Sequence, residues 1–174
     1  MKDDALIAAA KAGDRAAAEE LIDRYYGAIL RYCRFHCPSR EQAEDLTQET
    51  FLRLFSGLGG YQSRGTFSAY LYKIAYHLCV DEARRPGWQP LEETEKDPRD
   101  AMEEAENRQM AEKLMKGLSP EQREAVLLRY GEGLSLRETA QVTGVPLRTV
   151  QSRIRLALKA MRTEAQKPKN GEDG

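Results

Sequence analysis

Cysteine, tryptophan and long apolar runs are all scarce in this sequence, and each scarcity removes a class of protein. Three cysteines in 174 residues cannot all pair within one chain and are too few for a disulfide scaffold, which fits a reducing compartment. The longest apolar stretches, such as Ala125-Val126-Leu127-Leu128, fall far short of the roughly 18–20 residues of a membrane span, and Met1-Lys2-Asp3-Asp4 lacks a signal-peptide pattern. A soluble, cytoplasmic protein is expected. No nucleophile–base pairing or paired-carboxylate pattern is present, and Gly57, Gly59 and Gly60 lack the strand and the Lys-Ser/Thr that make a phosphate cradle. The sequence therefore predicts neither an enzyme nor a bound cofactor. Cys33, His36 and Cys37 lie within about one helical turn, with Cys79 elsewhere, so a metal or thiol sensor is conceivable. Two helical thiols and one imidazole leave a tetrahedral site incomplete, however, and cysteine is commonly buried, so no metal is assigned.

A net excess of charge is missing too: 27 basic residues face 28 acidic ones, for a formal −1. Counting by segment shows that this balance is an average of unlike parts. Residues 1–86 sum to zero, residues 87–112 to −6, residues 113–169 to +7 and the last five to −2. The acidic segment also carries Pro90 and Pro98, the composition of a tether. The expected organisation is a first domain over 1–86, an acidic linker over 87–105, a basic second domain over 106–167 and a tail over 168–174.

What is abundant is helical periodicity, with apolar residues recurring three and four positions apart and no sustained alternation. A helix over about 4–12 ends at Gly13, and Asp14 caps a second that Pro38 stops after Cys37. Ser39 caps a third through Leu58, and a fourth runs from about Thr66 to Arg85. Short connections make these a four-helix bundle. Beyond the linker, a helix over about 101–116 precedes Ser119-Pro120-Glu121-Gln122, which supplies an N-cap, an N1 proline and an acidic first turn. Ser135-Leu136-Arg137-Glu138 has capping-box spacing, Gly144 falls in a short turn, and Pro146 opens a last helix reaching about Gln166. The fold class is thus all-α: two small helical domains, the second ending in a helix-turn-helix.

Leu136, Ala140, Val145, Val150, Ile154, Ala157 and Met161 form the packing face of that pair, against Val126 and Leu127. Arg148, Ser152, Arg155, Lys159 and Arg162 recur along the last helix opposite the apolar stripe. The basic stripe starts at the end of the helix that enters a major groove in such motifs. Arg148, Thr149, Gln151, Ser152, Arg153 and Arg155 are placed to reach base edges or phosphates, and Lys159 to touch the backbone. DNA binding is the local inference. A stand-alone regulator with a sensory or dimerisation bundle would suit this motif equally well.

The first domain narrows the class. The segment Ala43-Glu44-Asp45-Leu46-Thr47-Gln48-Glu49-Thr50-Phe51, then Phe67 to Ala75, then Asp81-Glu82-Ala83-Arg84-Arg85 resembles the bacterial extracytoplasmic-function (ECF) RNA polymerase sigma factors. Leu118 to Val126 and Glu132 to Arg162 are similar to that family's second domain, so the resemblance spans nearly the whole chain in order. It implies that Asp45, Gln48, Glu49 and Phe51 bind core RNA polymerase. Asp45, Gln48, Glu49 and Leu52 share one helix face, offering carboxylates and an amide to a basic partner. The resemblance also places recognition and melting of the downstream promoter element on Tyr61, Arg64, Phe67, Tyr70, Lys73, Tyr76, His77, Arg84 and Arg85. Four tyrosines and a phenylalanine fall within residues 61–76, and aromatic faces seat unstacked bases at about 1–3 kcal/mol each. Tyr76 and His77 stand where Arg and Asn are frequent in the family, so base preference should differ. The upstream element falls to Arg148, Thr149, Gln151, Ser152, Arg153, Arg155 and Lys159. The implied partners are core RNA polymerase, promoter DNA and an anti-sigma protein. The near-zero net charge suggests that the free chain binds DNA weakly until polymerase holds both domains in place.

Overall fold

A computed structural model describes residues 2–62, 65–86 and 102–168, the side chain of Glu104 excepted. Arg64 and Trp88, and most of the segment read as a linker, lie outside the described residues. Among those described there are helices and no strand. The helices are α1 (Asp3–Lys11), α2 (Arg15–Arg34), α3 (Arg40–Gly57), α4 (Phe67–Ala83), α5 (Met102–Met115), α6 (Pro120–Val126), α7 (Leu136–Thr143) and α8 (Leu147–Gln166).

Local chemistry sets the boundaries. The Asp14 carboxylate accepts from the backbone N–H groups of Ala16 and Ala17, Ser39 Oγ from Gln42 and Thr66 Oγ1 from Ala69, each worth about 1 kcal/mol. Both Ser119 and Ser135 close full capping boxes, with Gln122 and Glu138 returning the bond. Gly144 ends α7 at φ 72°, a left-handed conformation that costs glycine least. One boundary differs from the periodicity: α2 stops at Arg34, three residues short of Cys37. After Val126, α6 widens into a π-helical turn over Leu127–Gly131. There Glu132 N–H reaches back to the Leu127 carbonyl at 2.9 Å. The extra residue in that turn redirects Leu128 and Glu132.

Leu21, Ile29, Tyr32, Leu54 and Leu71 are fully buried at the centre of the first four helices. In the C-terminal half, Ala125, Val150 and Ile154 pack with Leu136, Ala140 and Val145, while Val126, Leu127 and Ala157 pack with Met115 and Met161. That is the face expected for the helix-turn-helix. The two cores are not separate, however. Leu128, Leu134 and Val142 belong to the same buried cluster as Tyr32 and Tyr72, and α7 lies against α4.

Candidate nucleic-acid interface and partner surfaces

On α3, Asp45 and Gln48 are exposed and Glu49 is half-exposed, its Oε1 3.1 Å from Arg53 Nε. Asp45 and Glu49 border a groove of about 450 Å³ between α3 and α4, whose far wall carries Asp81, Glu82 and Arg85. Periodicity on α3 alone does not reveal that second wall. Phe51 is placed differently from the expectation. It is 5 % exposed and stacks on Tyr26 with centroids 6.1 Å apart, because its position on α3 faces the bundle with Thr47 and Leu54. The exposed apolar side chain at this point of α3 is its neighbour Leu52, 63 % exposed.

The aromatic cluster divides in the same way. Tyr61 is buried under the Lys11 ammonium, 5.5 Å from its ring, and against Tyr70 at 4.6 Å. Phe67 is buried edge-on to Tyr25 at 5.4 Å. These two rings close the core where the chain enters α4, so they are unavailable as seats for bases. Tyr70 and Tyr76 are half-buried, while Lys73, His77, Arg84 and Arg85 are exposed. Tyr76 and His77 have their ring centroids 5.5 Å apart.

On α8, Arg148, Gln151, Arg155 and Lys159 are exposed, and Thr149, Ser152 and Arg153 are half-buried. Val150, Ile154 and Ala157 anchor the opposite side of the helix. A rigid apolar back therefore presents three cations and the Gln151 amide outward.

Between the halves lie two buried carboxylates. Glu124 accepts from the Tyr32 hydroxyl, and its other oxygen is 2.9 Å from His36 Nε2. Glu132, with a side chain 3 % exposed, accepts from the Tyr72 hydroxyl at 2.5 Å and from Arg31 Nη2 at 2.8 Å. Burial first, then the neighbouring carboxylate, pushes both tyrosine hydroxyls well above their ordinary range. At the rim, Thr66 donates to Glu138 at 2.6 Å, and Arg123 to the Phe35 carbonyl at 3.3 Å. Burial would raise the Glu138 carboxyl, but the bonds from Thr66 and Ser135 outweigh it and hold it down. Tyr76 is pushed up by burial and then by Glu124, with Arg153 of α8 opposing.

Cys33 and Cys79 bring their sulfurs to 4.0 Å across α2 and α4, whereas His36 turns to Glu124 instead of the thiols. The Cys79–Cys33 hydrogen bond lowers the Cys33 thiol and raises Cys79, and burial pushes Cys37 up to about 12. Three buried thiols read as core.

Two helical units in this order, the second with a helix-turn-helix, are the class of protein that the fold defines. The sigma-70 region 2 family model matches residues 7–89, and the sigma-70 region 4 model matches residues 108–161. The ECF RNA polymerase sigma factor SigD of Mycobacterium tuberculosis is 33 % identical over 175 residues, covering 92 % of this chain and 82 % of that protein. BldN of Streptomyces coelicolor, also an ECF RNA polymerase sigma factor, is 33 % identical over 149 residues, covering 80 % of this chain and 56 % of that protein. This chain belongs to the ECF RNA polymerase sigma factors. It shares its fold with CnrH, solved in complex with the cytosolic domain of CnrY, at a TM-score of 0.75 and 23 % identity over 95 % of this chain and 99 % of that one. The same fold recurs in the sigma factor RpoE of Bartonella quintana, solved with the anti-sigma factor NepR, at 0.70 and 18 % identity over 85 % of this chain and 96 % of that one.

Proposed function

We propose that this protein binds core RNA polymerase and directs promoter-specific initiation, its first domain opening the downstream element while its second reads the upstream one. The observation that carries this is the ordered pair of sigma-70 regions on one chain, each with a chemically suited outward face. Asp45, Gln48, Glu49 and Leu52 present carboxylates, an amide and one exposed apolar side chain to a basic partner helix. Melting needs places for unstacked bases and cations for the strand between them. Tyr76 and His77 supply the first, with Tyr70 at the margin; Lys73, Arg84 and Arg85 supply the second. Arg148, Thr149, Gln151, Ser152, Arg153 and Arg155 read the upstream major groove, and Lys159 holds the backbone.

The chain carries no chemistry of its own in this scheme: nucleotide addition belongs to the polymerase, in the cytoplasm where that enzyme works. The two units are domains over 1–86 and 106–167, joined by the acidic segment 87–105. An anti-sigma protein is the expected regulator, since RpoE was solved with the anti-sigma factor NepR. The test is transcription with purified protein and core polymerase on genomic fragments, the transcript ends being mapped. Defined starts sharing two upstream motifs are expected; absence of any start above core polymerase alone overturns the proposal.

A further inference from the structure

The contacts between the two halves are too specific to be incidental. A carboxylate loses its hydration when buried and stays ionised only where donors replace the water. Glu124 and Glu132, both on the second domain, are buried against the first: Glu124 accepts from the Tyr32 hydroxyl of α2 with His36 Nε2 2.9 Å away, and Glu132 accepts from Arg31 of α2 and Tyr72 of α4. Leu128, Leu134 and Val142 complete the seam as fully or nearly fully buried apolar side chains. The π-helical turn is what points Leu128 and Glu132 across the boundary together.

This arrangement conflicts with reading two promoter elements at once. α7 covers the side of α4 that carries Tyr72, and Arg153 of α8 lies within electrostatic reach of Tyr76 of α4. The two candidate DNA surfaces therefore adjoin. Duplex elements even one helical turn apart are separated by about 34 Å, and the chain between Pro86 and Met102 can span about 50 Å when fully extended. The tether allows separation; the buried seam opposes it.

We infer that Glu124 and Glu132 form a latch holding the free protein in a closed state, in which the second domain masks the Tyr72–Tyr76 side of α4 and the two DNA surfaces cannot engage separated elements. The inference rests on the sigma-factor reading for what is masked, but the latch itself is a property of the seam. Opening it solvates both carboxylates and frees α4, so the free chain binds DNA in proportion to its open fraction.

The test uses the full chain. Arg31 is an exposed side chain on α2, so Arg31→Glu sets a second carboxylate against Glu132 without removing core packing. Small-angle scattering should then report a larger radius of gyration at unchanged helicity. Affinity for a random pool of short single-stranded DNA should rise at least about tenfold, since Arg31 donates two charge-assisted hydrogen bonds to Glu132 and the loss of one alone shifts a closed–open equilibrium by about that factor. The swap Arg31→Glu with Glu132→Lys restores the pair in reverse and should return both readouts toward the native values, a recovery that general damage would not give. Unchanged compactness of Arg31→Glu overturns the latch. Expansion without a gain in single-strand affinity upholds the latch and refutes the assignment of strand binding to α4.

Discussion

Phe51 and Leu52 are adjacent on α3, one buried and the other exposed, which makes them a sharp test of what the polymerase touches. Phe51 is almost wholly buried and stacks on Tyr26, so Phe51→Ala removes a ring from a packed core. Such truncations cost about 3–5 kcal/mol, the aromatic pairing contributing about 0.5–1.5 of it. For a protein of this size each kcal/mol lowers Tm by roughly 2–4 °C, so a fall of about 6–20 °C is expected by calorimetry. Leu52→Ala, at a 63 % exposed site, should stay within about 0.5 kcal/mol of native stability. In a pull-down or fluorescence titration with core polymerase, Leu52→Ala should weaken binding about fivefold to thirtyfold, as for a well-packed apolar interface residue. Phe51→Ala should lose binding only in step with its unfolded fraction. A Phe51→Ala protein with native Tm and abolished polymerase binding would refute this, because a buried ring cannot be both absent from the core and silent in stability.

The DNA face gives a second prediction: Arg148→Ala and Arg155→Ala should each reduce the salt dependence of duplex binding by about one counterion, with Tm unchanged. Retention of the full salt slope in both would remove α8's basic stripe from the interface. A third follows from Tyr32 and Tyr72, whose hydroxyls are raised above the ordinary value of 10.0 by burial and then by Glu124 and Glu132. With folded values above unfolded ones, their stabilisation is complete below that pH and is lost as pH rises through the folded values, by about 1.4 kcal/mol per tyrosine per pH unit. Denaturation at about pH 8 and about pH 11 should show that loss, and it should shrink in Tyr72→Phe; an equal loss in Tyr72→Phe and native protein would contradict the assignment. Finally, Cys37, held at about 12 by burial, should be a thiolate at only about 10⁻⁴ occupancy near pH 8 and alkylate far more slowly in native protein than in urea. Rapid stoichiometric labelling of native Cys37 would show that the site is open.

Much of this protein is determined by its sequence. Helix starts are set within a few residues by Asp14, Ser39, Thr66, Ser119 and Ser135, because capping joins a side chain to its own next turn and needs no distant partner. The apolar face of α8 and the exposed Arg148, Arg155 and Lys159 are equally local, a matter of spacing on one helix. Tertiary structure alone decided which of several aromatic residues are core and which are surface. Phe51, Tyr61 and Phe67 are aromatic like Tyr70 and Tyr76, and their burial follows from where α1, α2, α3 and α4 cross, a relation that spacing along one helix does not encode. The seam is the extreme case. Glu124 and Glu132 look in sequence like solvated charges at helix ends, and they become buried latch residues because Tyr32 and Tyr72, 92 and 60 residues away, supply the hydrogen bonds that replace water.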